Sequence, residues 1–144
     1  MEIDPYAHGM PHLLGLVEIE STPTVVRMDM EIRDDLRQIS GFLHGGATLA
    51  LLESCASWGT VLNADLETQL AFGTQVECRH LNSAQNGTVH GEARLVQVDD
   101  LGERGKRYLW SIRATQDGGR VLSEGTFTCR VVSKAYFEAR EAKH

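Results

Sequence analysis

A carboxylate and a glycine-rich turn stand close together in residues 38–57, and both suit carbonyl chemistry. His44, Gly45 and Gly46 form a turn that opens into an Ala- and Leu-rich run, with Glu53 in its middle. Amides in the first turn of a helix have no partner within the helix and lie at the positive end of its dipole, so such an N–H can bind an oxyanion. Because acidic side chains are rarely buried without a partner or a role, Glu53 is a candidate acid, base or nucleophile.

The spacing between the two groups limits how they can act together. Gly45 and Glu53 are eight residues apart, which separates their backbones by roughly 12 Å along an α-helix. An oxyanion donor and an attacking group must each come within about 3 Å of the reacting atoms. A two-fold dimer with antiparallel central helices solves this, because Gly45 of one subunit then faces Glu53 of the other. The sequence therefore predicts two identical acyl-transfer sites in a dimer, provided that the helix is continuous.

This spacing resembles that of the hotdog-fold acyl-CoA thioesterases. The pattern is Gln38-x5-His44-Gly45-Gly46-x6-Glu53-x3-Ser57. It is most similar to the 4-hydroxybenzoyl-CoA and 1,4-dihydroxy-2-naphthoyl-CoA thioesterases, next to those of the phenylacetate pathway, and the resemblance covers most of the chain. It implies hydrolysis of an acyl-CoA to the free acid and CoA. It also implies a homodimer, commonly a homotetramer of two dimers, and no metal or redox cofactor.

The resemblance assigns roles to single side chains. Glu53 attacks the thioester carbonyl or activates the hydrolytic water, and the sequence leaves both possibilities open. Ser57, one helical turn later, holds the water or the acid, and Gln38 orients the carbonyl or the water. His44 is a candidate general base, although fixing the loop through a backbone bond is the favoured role. A purely structural Glu53, bonded to Ser57 or to an arginine across an interface, is the alternative. The predicted catalytic set is Glu53, Gly45, Gln38, His44 and Ser57.

Two stretches are candidates for binding coenzyme A. On the strand after the helix the family carries a motif similar to Asn-His-(Leu/Val)-Arg-(Ser/Pro)-Ala, where this chain has Arg79-His80-Leu81-Asn82-Ser83-Ala84. Asn82 replaces the arginine of the family, and an amide cannot supply its charge. The basic turn Gly105-Lys106-Arg107 matches a second family stretch and suits CoA phosphates, with a solvated hairpin loop as the alternative. The predicted substrate-binding set is Gly73, His80, Leu81, Asn82, Ser83, Gly105, Lys106 and Arg107.

Hydrophobic periodicity places these residues on secondary-structure elements. A central helix is predicted over residues 45–63, apolar nearly all round and therefore buried. Strands are predicted at 16–20, 25–32, 74–81, 88–98, 106–115 and 120–132. Asn86-Gly87 predicts a two-residue hairpin between the third and fourth strands, and residues 134–144 can form a short helix. The order ββαββββ predicts an α+β fold with a curved antiparallel sheet around the helix, which the hotdog resemblance also implies.

Composition disfavours several other functions. A length of 144 residues fits one domain spanning residues 1–144, and a net charge of −6 with a pI near 5.5 argues against a nucleic-acid binder. No apolar run is long enough to span a membrane, and the N-terminus lacks the form of a signal peptide. Cys55, Cys78 and Cys129 are odd in number and far apart, which predicts reduced thiols in a cytoplasmic protein and no zinc site.

The acyl group and the reaction leave alternatives. By resemblance, the N-terminal segment lies near the acyl pocket, so that Met10, Leu13 and Leu14 are candidate lining residues. Phe42, Trp58 and Phe72 are candidates for an aromatic or medium-chain pocket, and each can equally belong to the core. Two other functions fit a hotdog domain: a dehydratase or hydratase acting on 3-hydroxyacyl thioesters, and a non-catalytic acyl-CoA-binding protein. Gln38 and the spacing from the His-Gly-Gly turn to Glu53 favour the thioesterase.

Overall fold

The computed structural model describes residues 4–144. Within them one antiparallel sheet of six strands packs against a long helix, with a short helix near each end of the chain. The elements are α1 (Gly9–Leu13), β1 (Val17–Ser21), β2 (Val25–Glu31), α2 (Gly45–Val61), β3 (Gln69–His80), β4 (Thr88–Asp100), β5 (Lys106–Thr115), β6 (Val121–Ser133) and α3 (Lys134–Glu141). The predicted order of elements and the α+β hotdog architecture are confirmed.

Helix α2 is held against the sheet by one face only. Leu51, Leu52 and Cys55 on that face are fully buried. Trp110 of β5 packs beneath it and donates a hydrogen bond from its indole Nε1 to Thr60 Oγ1 at 2.9 Å. The opposite side of the helix carries exposed residues, including Glu53. The prediction that the helix is buried all round is therefore wrong for the single subunit, because the sheet covers only one of its faces.

Strand β3 lies at the edge of the sheet, whose order is β1-β2-β4-β5-β6-β3. It begins at Gln69, five residues before the predicted start, and pairs with β6. Its outer edge is open within the part of the chain that the structure describes. An open edge presents unpaired backbone donors and acceptors to a further strand. Strand β1 is the other edge, but it has 5 residues whereas β3 has 12, so β3 is the longer edge available to a further strand.

The predicted hairpin at Asn86-Gly87 is wrong. Strand β4 pairs with β2 and β5, so two strands separate it from β3. Crossing three inter-strand spacings of about 4.8 Å each takes more chain than a two-residue turn provides. Residues 81–87 make that crossing instead. Gly87, with φ of 94°, accepts a hydrogen bond at its carbonyl from the Ile32 amide at 2.9 Å, so it shapes the entry into β4.

The two ends of the chain cover different parts of the molecule. Leu14, directly after α1, is buried, whereas Met10 and Leu13 are exposed. Helix α3 reaches the start of β3, where the rings of Phe72 and Phe137 stack with centroids 5.3 Å apart. Among residues 4–144, none of the helices combines the length and the apolar character that crossing a membrane requires.

Candidate active site

The start of α2 and the end of β3 enclose a cavity of about 210 Å³, the Gln38 cavity. Three loops and strands contribute to it: the loop before α2, the loop after β3 and the start of β6. The lining residues are Gln38, Phe42, Leu43, Gly45, Thr48, His80, Asn82, Ser83, Ala84, Leu122 and Ser123. Tertiary structure therefore brings together five predicted site residues that are up to 45 positions apart in the sequence.

The first turn of α2 leaves one amide available in this cavity. The His44 side chain caps the helix, because its Nδ1 accepts a hydrogen bond from the Gly46 amide at 2.8 Å. No acceptor among residues 4–144 receives the Gly45 amide. Gly45 and Gly46 were the two predicted donors, and the Gly45 amide is the one left without an acceptor. His44 fixes the turn through its bond to the backbone of Gly46.

The His80 imidazole packs against Gly45. A Cβ at position 45 would lie 2.7 Å from His80 Nε2, which is closer than side-chain contacts allow, so glycine is required beside this ring. His80 Nδ1 lies 2.7 Å from Oγ of the buried Ser123 on β6. That bond holds the ring in place, with Nε2 next to the helix start. A polar ring nitrogen and a free amide therefore meet in the Gln38 cavity.

Glu53 and Ser57 line a second cavity of about 230 Å³, the Glu53 cavity. It lies between the N-terminal segment and the exposed side of α2, and its lining is mostly apolar. The lining residues are Pro5, Pro11, Met28, Glu53, Ser54, Ser57, Trp58 and Val61. Pro5 and Pro11 contribute the N-terminal wall, whereas Met10 and Leu13, expected there, are exposed at the surface. The expected burial of Glu53 is also not observed, because this side of α2 faces outward.

The Glu53 carboxylate lies over Gly73 of β3. A Cβ on Gly73 would stand 2.9 Å from Glu53 Oε1 and 2.8 Å from the Phe127 ring. The pairing of β3 with β6 shifts register between Gly73 and Gln75, and such bulges often re-aim groups at functional sites. Glycine at position 73 therefore avoids a steric clash with the Glu53 carboxylate.

The structure separates the predicted residues into three groups within one subunit. Gln38, Gly45 and His80 line one cavity, and Glu53 and Ser57 line the other. The predicted CoA-binding turn at residues 105–107 lies at the opposite end of β5 from the strand's contact with Ser123. There the Arg107 guanidinium bonds Asp99 Oδ2 at 2.9 Å. Leu81 is exposed and lines neither cavity.

Burial keeps the cysteine thiols protonated. It is the largest factor that raises the pKa of Cys55 to about 12 and also raises the pKa of Cys78 and of Cys129. The Cys129 thiol lies near Ser57 and Glu53, and the carboxylate raises its pKa further. Because the thiolate is the nucleophilic form, these cysteines are poor candidates for the attacking group. In residues 4–144 no cluster of three or more His, Cys, Asp or Glu side chains could hold a metal ion.

Several lining residues were not predicted from the sequence. Thr48 and Ser123 line the Gln38 cavity, and Met28 lines the Glu53 cavity. Ser123 is one of the few buried polar residues, but a serine within a strand carries no sequence signal for its contact with His80, 43 positions away. Trp58, by contrast, was a predicted pocket candidate and does line the Glu53 cavity, whereas Phe42 lines the Gln38 cavity and Phe72 stacks on Phe137.

Comparison with known proteins gives consistent similarities. No protein-family model matches the chain. It is 36% identical over 136 residues to a Deinococcus radiodurans protein named "Putative esterase", covering 90% of this chain and 80% of that protein. It is 27% identical to a 1,4-dihydroxy-2-naphthoyl-CoA hydrolase of Listeria monocytogenes, with 88% and 98% covered. The crystal structure of a mutant thioesterase from Pseudomonas aeruginosa superposes with a TM-score of 0.75 at 28% identity, covering 85% of this chain and 84% of that one.

Proposed function

Because this chain belongs to the hotdog-fold thioesterase family and is a thioester hydrolase, we propose that it cleaves acyl-CoA thioesters in a site shared by two subunits. Gln38 and Gly45 come from one subunit, and Glu53 and Ser57 come from the other. The division of these residues between two cavities of one subunit carries the proposal. A thioester carbonyl in either cavity alone would meet the oxyanion donor or the carboxylate, and not both.

The open edge of β3 supports this assembly. His80, near the end of β3, lies beside Gly45, whereas Gly73, near its start, lies beside Glu53. If two β3 strands pair antiparallel about a two-fold axis, the His80 end of one strand meets the Gly73 end of the other. The Gln38 cavity of each subunit then faces the Glu53 carboxylate of its partner. Packing of two such dimers into a tetramer is part of the proposal.

In the proposed reaction the Gly45 amide binds the thioester carbonyl oxygen, with Gln38 orienting the carbonyl or the water. As a base, Glu53 removes a proton from water, the oxygen adds to the carbonyl carbon, and the tetrahedral oxyanion collapses by breaking the C–S bond. As a nucleophile, Glu53 itself adds and expels the thiolate, and water then hydrolyses the mixed anhydride. Either route consumes one water and yields the free acid and the thiol, without a metal or redox cofactor.

The Glu53 cavity is the proposed acyl site, and its walls suit an aromatic or medium-chain group. Pro5, Pro11, Met28 and Val61 provide apolar contact. The indole Nε1 of Trp58 is buried without an acceptor in residues 4–144. A buried donor without a partner is costly, and Trp58 lines this cavity, so an acyl group whose hydroxyl oxygen met the indole N–H on binding would offset that cost. We therefore favour an oxygen-bearing aromatic acyl group.

The remaining parts of the proposal concern the carrier and the cell. The turn at Gly105, Lys106 and Arg107 is proposed to contact CoA phosphates, although Arg107 already pairs with Asp99. A cytoplasmic location is supported by three free cysteines, since thiols stay reduced there. The proposed partner is a small-molecule acyl-CoA substrate, and neither a nucleic acid nor a membrane is proposed.

Release of free thiol from a panel of aryl-, phenylacetyl- and straight-chain acyl-CoAs tests the function. Glu53→Ala should fold like the wild type and lose activity by about a hundredfold or more, as expected for removal of an acid–base or nucleophilic group. Glu138→Ala, which removes an exposed carboxylate on α3, is the matched control and should keep full activity. Wild-type activity in Glu53→Ala would refute the mechanism.

The same panel separates the alternative functions. Binding of acyl-CoA without thiol release would indicate a non-catalytic binding protein. A change in ultraviolet absorbance would report the other alternative. Loss of the conjugated double bond of an enoyl-CoA would indicate a hydratase, and its formation from a 3-hydroxyacyl-CoA would indicate a dehydratase. Because the chain is a thioester hydrolase, release of thiol from at least one member of the panel is the expected result.

A further inference from the structure

The turn between β5 and β6 is bonded to the rim of the Gln38 cavity. Arg120 Nη1 donates to the Ser83 carbonyl at 2.7 Å, and the Asn82 side-chain amide donates to the Val121 carbonyl at 2.7 Å. Asn82 and Ser83 both line the cavity. These bonds hold the Arg120 guanidinium beside the entrance to the space that contains Gly45.

The charge of Arg120 is not neutralised within the described part of the chain. No carboxylate of residues 4–144 lies within 4.0 Å of its guanidinium. The other arginine bonded to the same loop, Arg37, reaches the Gln85 carbonyl at 3.1 Å and pairs with Asp34. Asp117, in the turn that carries Arg120, bonds His90 instead. In a chain with a net charge of −6, an unpaired cation at this rim marks a place for an anion.

We propose that Arg120 binds a phosphate group on the carrier arm of the thioester substrate. This inference rests on the proposed function, since it assumes that the thioester carbonyl reaches Gly45. With Nη1 anchored to Ser83, the other guanidinium N–H groups remain to bind a phosphate in the forked geometry typical of arginine. Arg120 then supplies the charge that Asn82 lacks.

The position of the guanidinium suits such a substrate. It is bonded to Ser83 at the rim of the cavity, whereas the oxyanion donor, Gly45, lies beside His80 at the helix start. Three residues of chain separate Ser83 from His80 and span at most about 10 Å, so the two groups act on different parts of one bound molecule. A substrate that carries its anionic group on an arm, and not next to the reacting carbonyl, can reach both. The phosphate of a phosphopantetheine arm and the phosphates of CoA share this chemistry.

Steady-state kinetics of wild type and Arg120→Ala on three thioesters of one acyl group test the proposal. The thioesters are acyl-CoA, acyl-phosphopantetheine and acyl-pantetheine, which lacks phosphate. We expect Arg120→Ala to raise KM about tenfold for the phosphorylated thioesters, with little change in kcat, the loss typical of one charge-assisted contact. KM for acyl-pantetheine should stay unchanged. A rise for acyl-CoA alone also supports the proposal and assigns the contact to the nucleotide phosphates.

Two variants serve as controls. Arg94→Ala removes an exposed arginine that is paired with Glu92 on β4, and it should leave KM unchanged for all three thioesters. Arg120→Lys keeps the charge without the fork, so its KM should lie between those of wild type and Arg120→Ala. Equal loss on all three thioesters would make Arg120 only a tether of the loop and would overturn the proposal, as would no change on any.

Failure of the proposed function gives a different result. If the wild type hydrolyses none of the three thioesters, calorimetric titration of CoA into wild type and Arg120→Ala still examines the anion site. Weaker binding of CoA by the variant would support the phosphate contact without the hydrolase mechanism. Equal binding by the two proteins, or no binding by either, would overturn the role of Arg120.

Discussion

At the scale of single residues, the candidate site depends on what two glycines leave out. Gly45 leaves room for the His80 imidazole beside a free amide, and Gly73 leaves room for the Glu53 carboxylate. His44 Nδ1 accepts the Gly46 amide, so of the two glycine amides at the helix start only that of Gly45 has no acceptor within residues 4–144. The chemistry of the site therefore depends as much on missing side chains as on the polar ones.

The residue that most directly reports the acyl group is Trp58. Trp58→Phe keeps an aromatic ring but removes the buried indole donor, which lacks an acceptor in residues 4–144. Replacing an unsatisfied buried polar group with an apolar one is close to neutral or stabilising. We expect an unchanged or slightly raised thermal midpoint and about a tenfold loss of kcat/KM on a hydroxylated aryl-CoA relative to the unhydroxylated one. An unchanged ratio between the two substrates would exclude this contact.

At the scale of elements, α2 is placed by close contact with β5. A Cβ on Gly59 would lie 2.4 Å from the ring of the fully buried Trp110, and the neighbouring Thr60 receives the Trp110 indole N–H. This contact fixes the height and rotation of the helix above the sheet. It thereby sets where Gly45 and Glu53 stand relative to β3.

Gly59→Ala tests that contact. Alanine gains about 1 kcal/mol of helix propensity, but overpacking of a filled core costs about 1–3 kcal/mol, and the Trp110 ring has no free space here. Because the clash with a fully buried ring is severe, we expect the upper end of that cost and a net destabilisation of about 2 kcal/mol in urea unfolding. Ser54→Ala on the same helix is the control, since Ser54 only bonds the Ala50 carbonyl one turn earlier, and its unfolding midpoint should barely move. Equal midpoints for the two variants would contradict the packing role of Gly59.

A second link between elements involves a histidine on the sheet. His90 Nδ1 bonds Asp29 of β2 at 2.8 Å, and Nε2 bonds Asp117 after β5 at 2.7 Å. Hydrogen bonds to Asp29 and then Asp117 raise the pKa of His90. The protonated ring thus stabilises the folded state fully below the unfolded pKa of about 6.5. That stabilisation is lost as the pH rises through the higher folded pKa.

The pH dependence of unfolding tests this link. We compare the urea midpoints of the wild type and of His90→Gln, which cannot carry the charge, from about pH 5.5 to about pH 8.5. The midpoint of the wild type should fall more steeply with rising pH than that of the variant. The difference between the two proteins should be largest at the acid end of the range and should shrink toward the alkaline end. Parallel profiles over the whole range would show that the two carboxylates do not act on His90.

At the scale of the whole molecule, one subunit holds the candidate residues in two separate cavities, and pairing through the open edge of β3 would join them into one site. The Gln38 and Glu53 cavities lie at opposite ends of the α2–β3 contact. Antiparallel pairing of two β3 strands would bring unlike ends together and create two equal sites. Such a dimer would also cover Val76, which is 43% exposed on β3.

Mixing two inactive variants tests the shared site. Glu53→Ala and Gln38→Ala should each be inactive as homodimers. After unfolding and refolding together in equal amounts, half of the dimers contain one subunit of each kind, and each of these has one intact site. The mixture should therefore regain about a quarter of wild-type activity. No recovery, with mixed dimers detected by mass, would mean that Gln38 and Glu53 act within one subunit.

The sequence by itself predicted the order of the elements, which the structure confirms, and a set of candidate site residues, which stays a prediction. The period of apolar residues located α2 and the strands, and the spacing from Gln38 to Ser57 indicated the chemistry, because both depend on contacts local in sequence. The Asn86-Gly87 signal failed, since strand pairing is decided by which edges remain free and not by the turn residues. Only the tertiary structure decided that Glu53 faces outward, that Ser123 holds His80, and that Arg120 reaches Ser83. Those placements depend on which side of the helix the sheet covers, on the pairing of β3 with β6, which sets His80 opposite Ser123, and on which loops then meet, and no local pattern encodes them.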